Sequence, residues 1–204
     1  MILLPDRASR QDVHRILIGA VVPRPIAFVS TVSADGVFNV APFSFFNAVC
    51  SDPPVICFAA SRPPSGDGRS KKDTLANIEA TGEFVVNIVS ESFADEMNLT
   101  AGNYPAEVNE FSVAGLTAVK SELVKPPRVG QSHVNFECKL THNILVSDRP
   151  GGSNLILGEA VCIHVDEAIL TDNRIDPDRL RAIGRMGGIS YVRTADRFEL
   201  DRPK

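Results

Sequence analysis

The chain has 204 residues, 44% apolar and 23% charged, with a net charge of −4. A chain this long buries enough surface to fold without a disulfide or metal staple. The acidic balance argues against nucleic acid as the main partner, and no apolar stretch reaches the ~20 residues of a membrane helix.

The opening MILLPDRASRQDVHR starts apolar but has no basic stretch before it and is broken at Pro5 and Asp6. It does not read as a signal peptide, and a soluble cytoplasmic protein is expected. IAFVSTVS (26–33) is a β-branched strand, and Asp35-Gly36 marks a hairpin into a return strand over 37–49. Pro42 interrupts that run, where a bulge, an edge or a strand end is expected. PVICFAAS (54–61) is nearly all apolar and predicts a strand covered on both faces.

In SRPPSGDGRSKKDTLANI (61–78), Pro63, Pro64, Gly66 and Gly68 forbid a regular element. A short helix follows over 74–80, with Asp73 or Thr74 as the capping oxygen and Gly82 past its end. A strand is expected over 83–90 and a second helix over 91–102. Residues 103–131, with Pro105, Pro126 and Pro127, read as an irregular excursion with a short strand near 116–119. HVNFECKLTHNILV (133–146) alternates, with Val134, Phe136, Cys138 and Leu140 on one face and Asn135, Glu137, Lys139 and Thr141 on the other. DRPGGSN (148–154) is a turn into a long return strand over 155–170. The tail over 176–194 holds a short helix, a Gly-Gly break and a final short segment. The whole, residues 1–204 as one domain, predicts a mainly β fold: a small antiparallel barrel with added helices, not a doubly wound parallel sheet.

The usual nucleotide cradles, GxGxxG after a strand and GxxxxGK[ST], are absent, as is GxSxG. Cys50, Cys57, Cys138 and Cys162 form no CxxC and read as buried free thiols. His14, His133, His142 and His164 lack metal-ligand spacing, so no metal is expected. Glu137 and Glu159 read as structural polar positions on paired strands, open to being neighbours. The acidic run 165–178 lacks the glycine of a calcium loop.

Three stretches invite a ligand. Arg69, Lys71 and Lys72 gather before a helix start with Thr74, which suits a phosphate; from these residues alone a solvated basic loop before an ordinary capped helix is the stronger alternative. Ser30, Thr31, Ser33 and Ser44 stand among Phe43, Phe45, Phe46 and Asn47, which suits a planar polar ring; a half-exposed strand with its turn is the alternative. RMGGISYVRT (185–194) flanks Gly187-Gly188 with Arg185 and Tyr191, either a plain turn or a close approach to another group.

Four blocks in order carry a resemblance over residues 16–195. They are GAVVPRPIAFVSTVSADGVFNVAPFSFFNAVCSDPPVICF, KKDTLANIEATGEFVVNIV, VNFECKL with LILGEAVCIHVDE, and IDPDRLRAIGRMGGISYVR. Together they resemble the flavin reductase-like, FMN-binding split-barrel proteins, in the subgroup of two-component monooxygenase reductase components and flavoredoxin. The resemblance implies a six-stranded Greek-key barrel that binds FMN and dimerises, with flavin sites near the subunit interface. It sets the flavin phosphate against Arg69–Thr74, including Lys71, Lys72 and Asp73, and against Ser61-Arg62. It sets the ring against Ser30-Thr31 and against Ser44, Phe45, Phe46 and Asn47. Asp73 is expected to cap the helix or to bind through N–H groups. No strict catalytic residue carries over. The histidine-glycine pair of many members is replaced by DRPGGSNLILGE, leaving the Arg185–Tyr191 block for the nicotinamide. The implied activity is hydride transfer from NADH or NADPH to flavin in a homodimer, with a monooxygenase component as a partner. The alternative is a flavoredoxin-like FMN electron carrier with no nicotinamide site.

Overall fold

The computed structural model describes residues 1–62 and 71–203. The chain opens with helix α1 (Arg10–Ala20), which the pattern above does not foresee. Ser9 caps it, its hydroxyl accepting from the Asp12 N–H, but no residue of α1 is buried, so no core-facing stripe announces it. Strands β1 (Ala27–Val32) and β2 (Phe38–Phe43) form the expected hairpin, with Val32 opposite Phe38 and Gly36 at φ 85°. β3 (Phe46–Ser51) and β4 (Pro54–Ser61) follow, then α2 (Asp73–Thr81) and β5 (Glu83–Ile88). A 3₁₀ turn (Glu91–Phe93) leads into α3 (Ala94–Leu99) and α4 (Glu110–Val113). The short β6 (Ala118–Val119) and β7 (Arg128–Val129) precede the two long strands, β8 (Val134–Leu145) and β9 (Ser153–Val165). The tail holds β10 (Leu170–Thr171), β11 (Arg174–Ile175), α5 (Pro177–Leu180), β12 (Ile183–Arg185) and β13 (Tyr191–Arg193).

The main sheet is antiparallel, in the order β2-β1-β5-β8-β9-β4-β3. Its two outer strands are neighbours in sequence: only Ser44 and Phe45 stand between them. Two residues span at most about 10 Å, so the sheet must curl until its edges nearly meet. No ladder joins β2 to β3 among the described residues, and the Phe45 carbonyl accepts instead from the Ala59 N–H at 2.8 Å. The sheet counts seven strands rather than six, because the 37–49 run breaks at Ser44–Phe45 and not at Pro42. Pro42 stays inside β2, an edge strand where its missing N–H costs no ladder bond.

Two cores flank β1, all six residues of which are buried. Ala27 and Val29 face Phe58, Phe84, Leu75, Ile78 and Ile156; Ile26 and Phe28 face Phe93, Met97, Phe111 and Val129. The doubly covered strand is thus β1. In β4 burial roughly alternates, with Cys57 and Ala59 only partly covered. The Phe84 ring fits because Gly158 opposite it has no side chain; a Cβ there would lie 2.3 Å from the ring. β9 ends earlier than its apolar run, because the Asp166 carboxylate accepts from the Ala168 N–H and starts a 3₁₀ turn. All four cysteines are free, but only Cys138 is buried; Cys57 and Cys162 are half-buried and Cys50 is exposed.

Candidate functional site

The seam between the sheet edges opens a cleft of about 380 Å³. Ser44 and Phe45 reach it from the β2–β3 bend, Ser61 from the end of β4, and Lys72 from the start of α2. Arg185, Met186 and Gly188 come from the C-terminal hairpin, and His14 and Ile18 from α1. Arg24, just before β1, completes the wall.

Arg24 is only 4% exposed. Its guanidinium donates to the carbonyls of Ile18 (2.7 Å), Val21 (2.8 Å) and Met186 (2.9 Å), and Nε donates to Ser44 Oγ (3.3 Å). Its backbone pairs with that of Arg185 in both directions, at 3.0 and 2.8 Å. The guanidinium carbon lies 5.8 Å from the centre of the Phe45 ring. One side chain therefore ties together α1, the β2–β3 bend and the C-terminal hairpin. Burial, and then the nearby Arg185 charge, lower its pKa from the usual arginine value. None of its described hydrogen bonds goes to a carboxylate, so its positive charge is left to act on the cleft.

Arg185 stacks on the Tyr191 ring at 4.5 Å and donates to the Gly188 carbonyl. Gly188 sits at φ 62°, a turn conformation that favours glycine, while Gly187 lies against the backbone of Gly19 in α1. Arg185 also borders a second cleft of about 360 Å³, together with Tyr191, Ile189, Arg193, Asn98 and Glu91. The structure thus brings Arg185 to both clefts and Tyr191 to the second.

At the start of α2 the N-cap position is Lys72, with no side-chain cap, in place of the expected Asp73 or Thr74 oxygen. The Thr74 hydroxyl points elsewhere: it donates to Asn39 Oδ1 at 2.9 Å. Thr31 Oγ1 donates to the same oxygen at 3.2 Å and accepts from Asn77 Nδ2 at 3.0 Å. Asn39 Nδ2 in turn donates to Glu110 Oε1 at 2.8 Å. This buried network fixes the helix start to β1 and β2. Lys72, Asp73 and Thr74 also border a recess of only about 50 Å³.

The other expected site residues lie away from the cleft. Ser30 and Thr31 are fully buried and are not among its lining residues. Ser30 donates to the Pro127 carbonyl and accepts from Asn87 Nδ2, because the 103–131 excursion packs over that face of the sheet. Phe46 packs against the first core. Asn47 is exposed, its amide oxygen accepting from the Ala48 N–H at 2.9 Å. Lys71 pairs with Glu79 at 2.5 Å. The Arg62 N–H donates to the Gly152 carbonyl at 3.0 Å, holding the chain at the cleft margin. Arg69 lies outside the described residues. Glu137 and Glu159 are not opposite each other: Glu137 pairs with Cys162, and Glu159 with Lys139.

Arg24 escaped the reading of the sequence. Its signal was there: an arginine between Pro23 and Pro25, directly before a strand buried on both faces, is a charge the fold has a reason to bury.

A family model described as the flavin reductase like domain matches residues 18–179. An uncharacterized protein of Aquifex aeolicus is 45% identical over 181 residues, covering 88% of this chain and 89% of its own length. Nitrilotriacetate monooxygenase component B from Bacillus cereus superposes with a TM-score of 0.91 at 35% identity, over 98% of both chains. Pseudomonas fluorescens 2-nitrobenzoate 2-nitroreductase superposes with a TM-score of 0.87 at 30% identity, over 100% of this chain and 96% of its own.

Proposed function

Because this chain belongs to the flavin reductase-like family, we propose that the cleft holds FMN and that the protein passes a hydride to flavin from NADH or NADPH. The observation that carries the reading is the cleft wall itself, where an aromatic face (Phe45) stands beside three cations (Arg24, Arg185, Lys72) and a hydroxyl (Ser44). A planar ring joined to a phosphate uses both halves of that wall, and its volume of about 380 Å³ suits a small cofactor.

Bound flavin supplies the hydride-accepting chemistry; the residues supply placement and charge. Lys72 and the N-terminus of α2 hold the phosphate end, where helix N–H groups and a lysine both favour an anion. Ser61 lines the same cleft, and the Arg62 backbone follows at its margin. The Ser44 hydroxyl accepts from Arg24, which leaves its own proton to donate toward the ring edge. Arg24 and Arg185 put positive potential on the cleft wall and would favour an anionic reduced ring held there. Arg185 and Tyr191, on the border of the second cleft, receive the nicotinamide donor.

The working unit in this reading is a homodimer of one flavin-binding domain spanning residues 1–204. Exposed Ile16, Leu17 and Val21 at α1 and Val49 on β3 support it, since such apolar surface marks an interface. Four free cysteines suit a cytoplasmic setting, and no described helix is long and apolar enough to cross a membrane. The likeness to a monooxygenase component B supports a partner oxygenase that consumes the reduced flavin.

Mixing purified protein with NADH or NADPH and free FMN tests the reading, and rapid nicotinamide oxidation is expected. Tightly held FMN without nicotinamide oxidation would overturn hydride transfer and leave an electron carrier. Lys72→Ala should weaken FMN binding by about 1–3 kcal/mol, less at high salt, and leave riboflavin binding nearly unchanged. An equal loss for riboflavin would remove the phosphate assignment.

A further inference from the structure

Glu137, Cys162 and His164 converge on one face of the β8–β9 ladder. Cys162 and His164 are two residues apart on β9, so their side chains share a face, and Glu137 on β8 is the direct cross-strand partner of Cys162. His164 Nε2 lies 2.6 Å from Glu137 Oε1 and 3.4 Å from Cys162 Sγ. The three candidate ligand atoms all lie within 4.8 Å of one another. None of the three residues lines either cleft.

We propose that Glu137, Cys162 and His164 form a binding site for a zinc-class divalent cation, with the fourth coordination position open to water. Thiolate, imidazole and carboxylate together suit zinc and do not suit magnesium or calcium. The spacing agrees. Tetrahedral Zn–S and Zn–N bonds of about 2.3 and 2.05 Å set sulfur and nitrogen about 3.5 Å apart, near the 3.4 Å found. Nitrogen and oxygen ligands would stand about 3.3 Å apart, so the 2.6 Å pair need only separate by about 0.7 Å. The 2.6 Å contact between His164 Nε2 and Glu137 Oε1 would give way to the metal, and loading it would release the Cys162 thiol proton.

The surroundings support coordination. Both Glu137 oxygens are aimed by backbone amides, Oε1 by Glu122 (2.8 Å) and Oε2 by Leu123 (2.7 Å) and Val124 (3.2 Å). Such outer partners fix a ligand's orientation. The His164 side chain is 21% exposed, which gives an ion a way in from solvent. The histidines show no ligand spacing in the sequence because the trio exists only through the register of β8 against β9.

Full-length protein, stripped with a chelator and dialysed, would be titrated calorimetrically with zinc ion alone. About one equivalent per chain is expected. Cys162→Ser and His164→Ala should each weaken binding by about 100-fold or more, whereas Cys50→Ser, at the exposed thiol, should not. Cobalt ion should give a thiolate charge-transfer absorption that Cys162→Ser lacks. Circular dichroism and retained flavin uptake would show that each variant is folded. No stoichiometric binding to the wild-type chain, or binding kept by the Cys162→Ser/His164→Ala double variant, would overturn the site.

Discussion

Glu137, on β8, and Glu110, at the start of α4, are both buried carboxylates, 0% and 5% exposed, yet the protein shifts them in opposite directions. Burial pushes Glu137 upward, but the amides of Glu122 and Leu123, with His164, outweigh it and hold the carboxyl below its usual range. Burial also pushes Glu110 upward, and there it prevails. The Val40 N–H is distant at 3.3 Å, Asn39 gives one amide bond, and the Asp73 charge adds to the rise. At Glu137 the donors outweigh the burial, and at Glu110 the burial outweighs the donors. The difference also explains why 121–124 forms no regular element: its N–H groups turn toward a carboxylate instead of a neighbouring strand.

Removing the better-held carboxylate should have the largest effect. Glu137→Ala leaves three backbone amides without their acceptor and should cost about 3–4 kcal/mol in urea denaturation; a loss under about 1 kcal/mol would show that the amides find other partners. Glu110→Gln keeps an oxygen for Asn39 and removes a disfavoured charge, so at neutral pH it should change stability by less than about 1 kcal/mol in either direction.

The subtlest effects are in the pH dependence. The folded pKa of Glu137 lies below its unfolded value, so its contribution is present above the usual glutamate value of ~4.3 and is lost as pH falls through the folded one. Glu110 has the reverse sign: stability is greatest below the unfolded value and falls as pH rises from there through the raised folded value. Urea midpoints against pH should therefore show weaker acid sensitivity in Glu137→Gln and a flatter approach to neutrality in Glu110→Gln. The same slope change in both variants would contradict the opposite signs.

Much of the fold could be read from the sequence because its strands are locally marked. The Asp35-Gly36 turn, the β-branched run before it and the alternation around Val134 each carry their own signal. Helix α1 carries only its Ser9 cap, since a helix with no buried residue lacks a core stripe. Of the residues singled out in the sequence, those at chain bends come together: Ser44, Phe45, Ser61, Lys72 and Arg185 line one cleft. Ser30 and Thr31 misled because hydroxyls within a strand can serve a ligand or a covering loop equally well. Only the fold decides, giving Ser30 the Pro127 carbonyl of the 103–131 excursion and Thr31 the Asn39 amide of β2. Arg24 is the converse, a residue whose importance comes from segments far along the chain, Met186 among them.

The two-residue bend at Ser44 and Phe45 works as a hinge pin whose leaves are the two margins of the sheet. The width of the cleft and the curl of the sheet are then one mechanical variable. A small molecule seated against Phe45 restrains both margins at once. Its uptake should register as slower amide exchange along Phe38–Phe43 and Phe46–Ser51, in strands that are outermost in the ladder and adjacent in the chain.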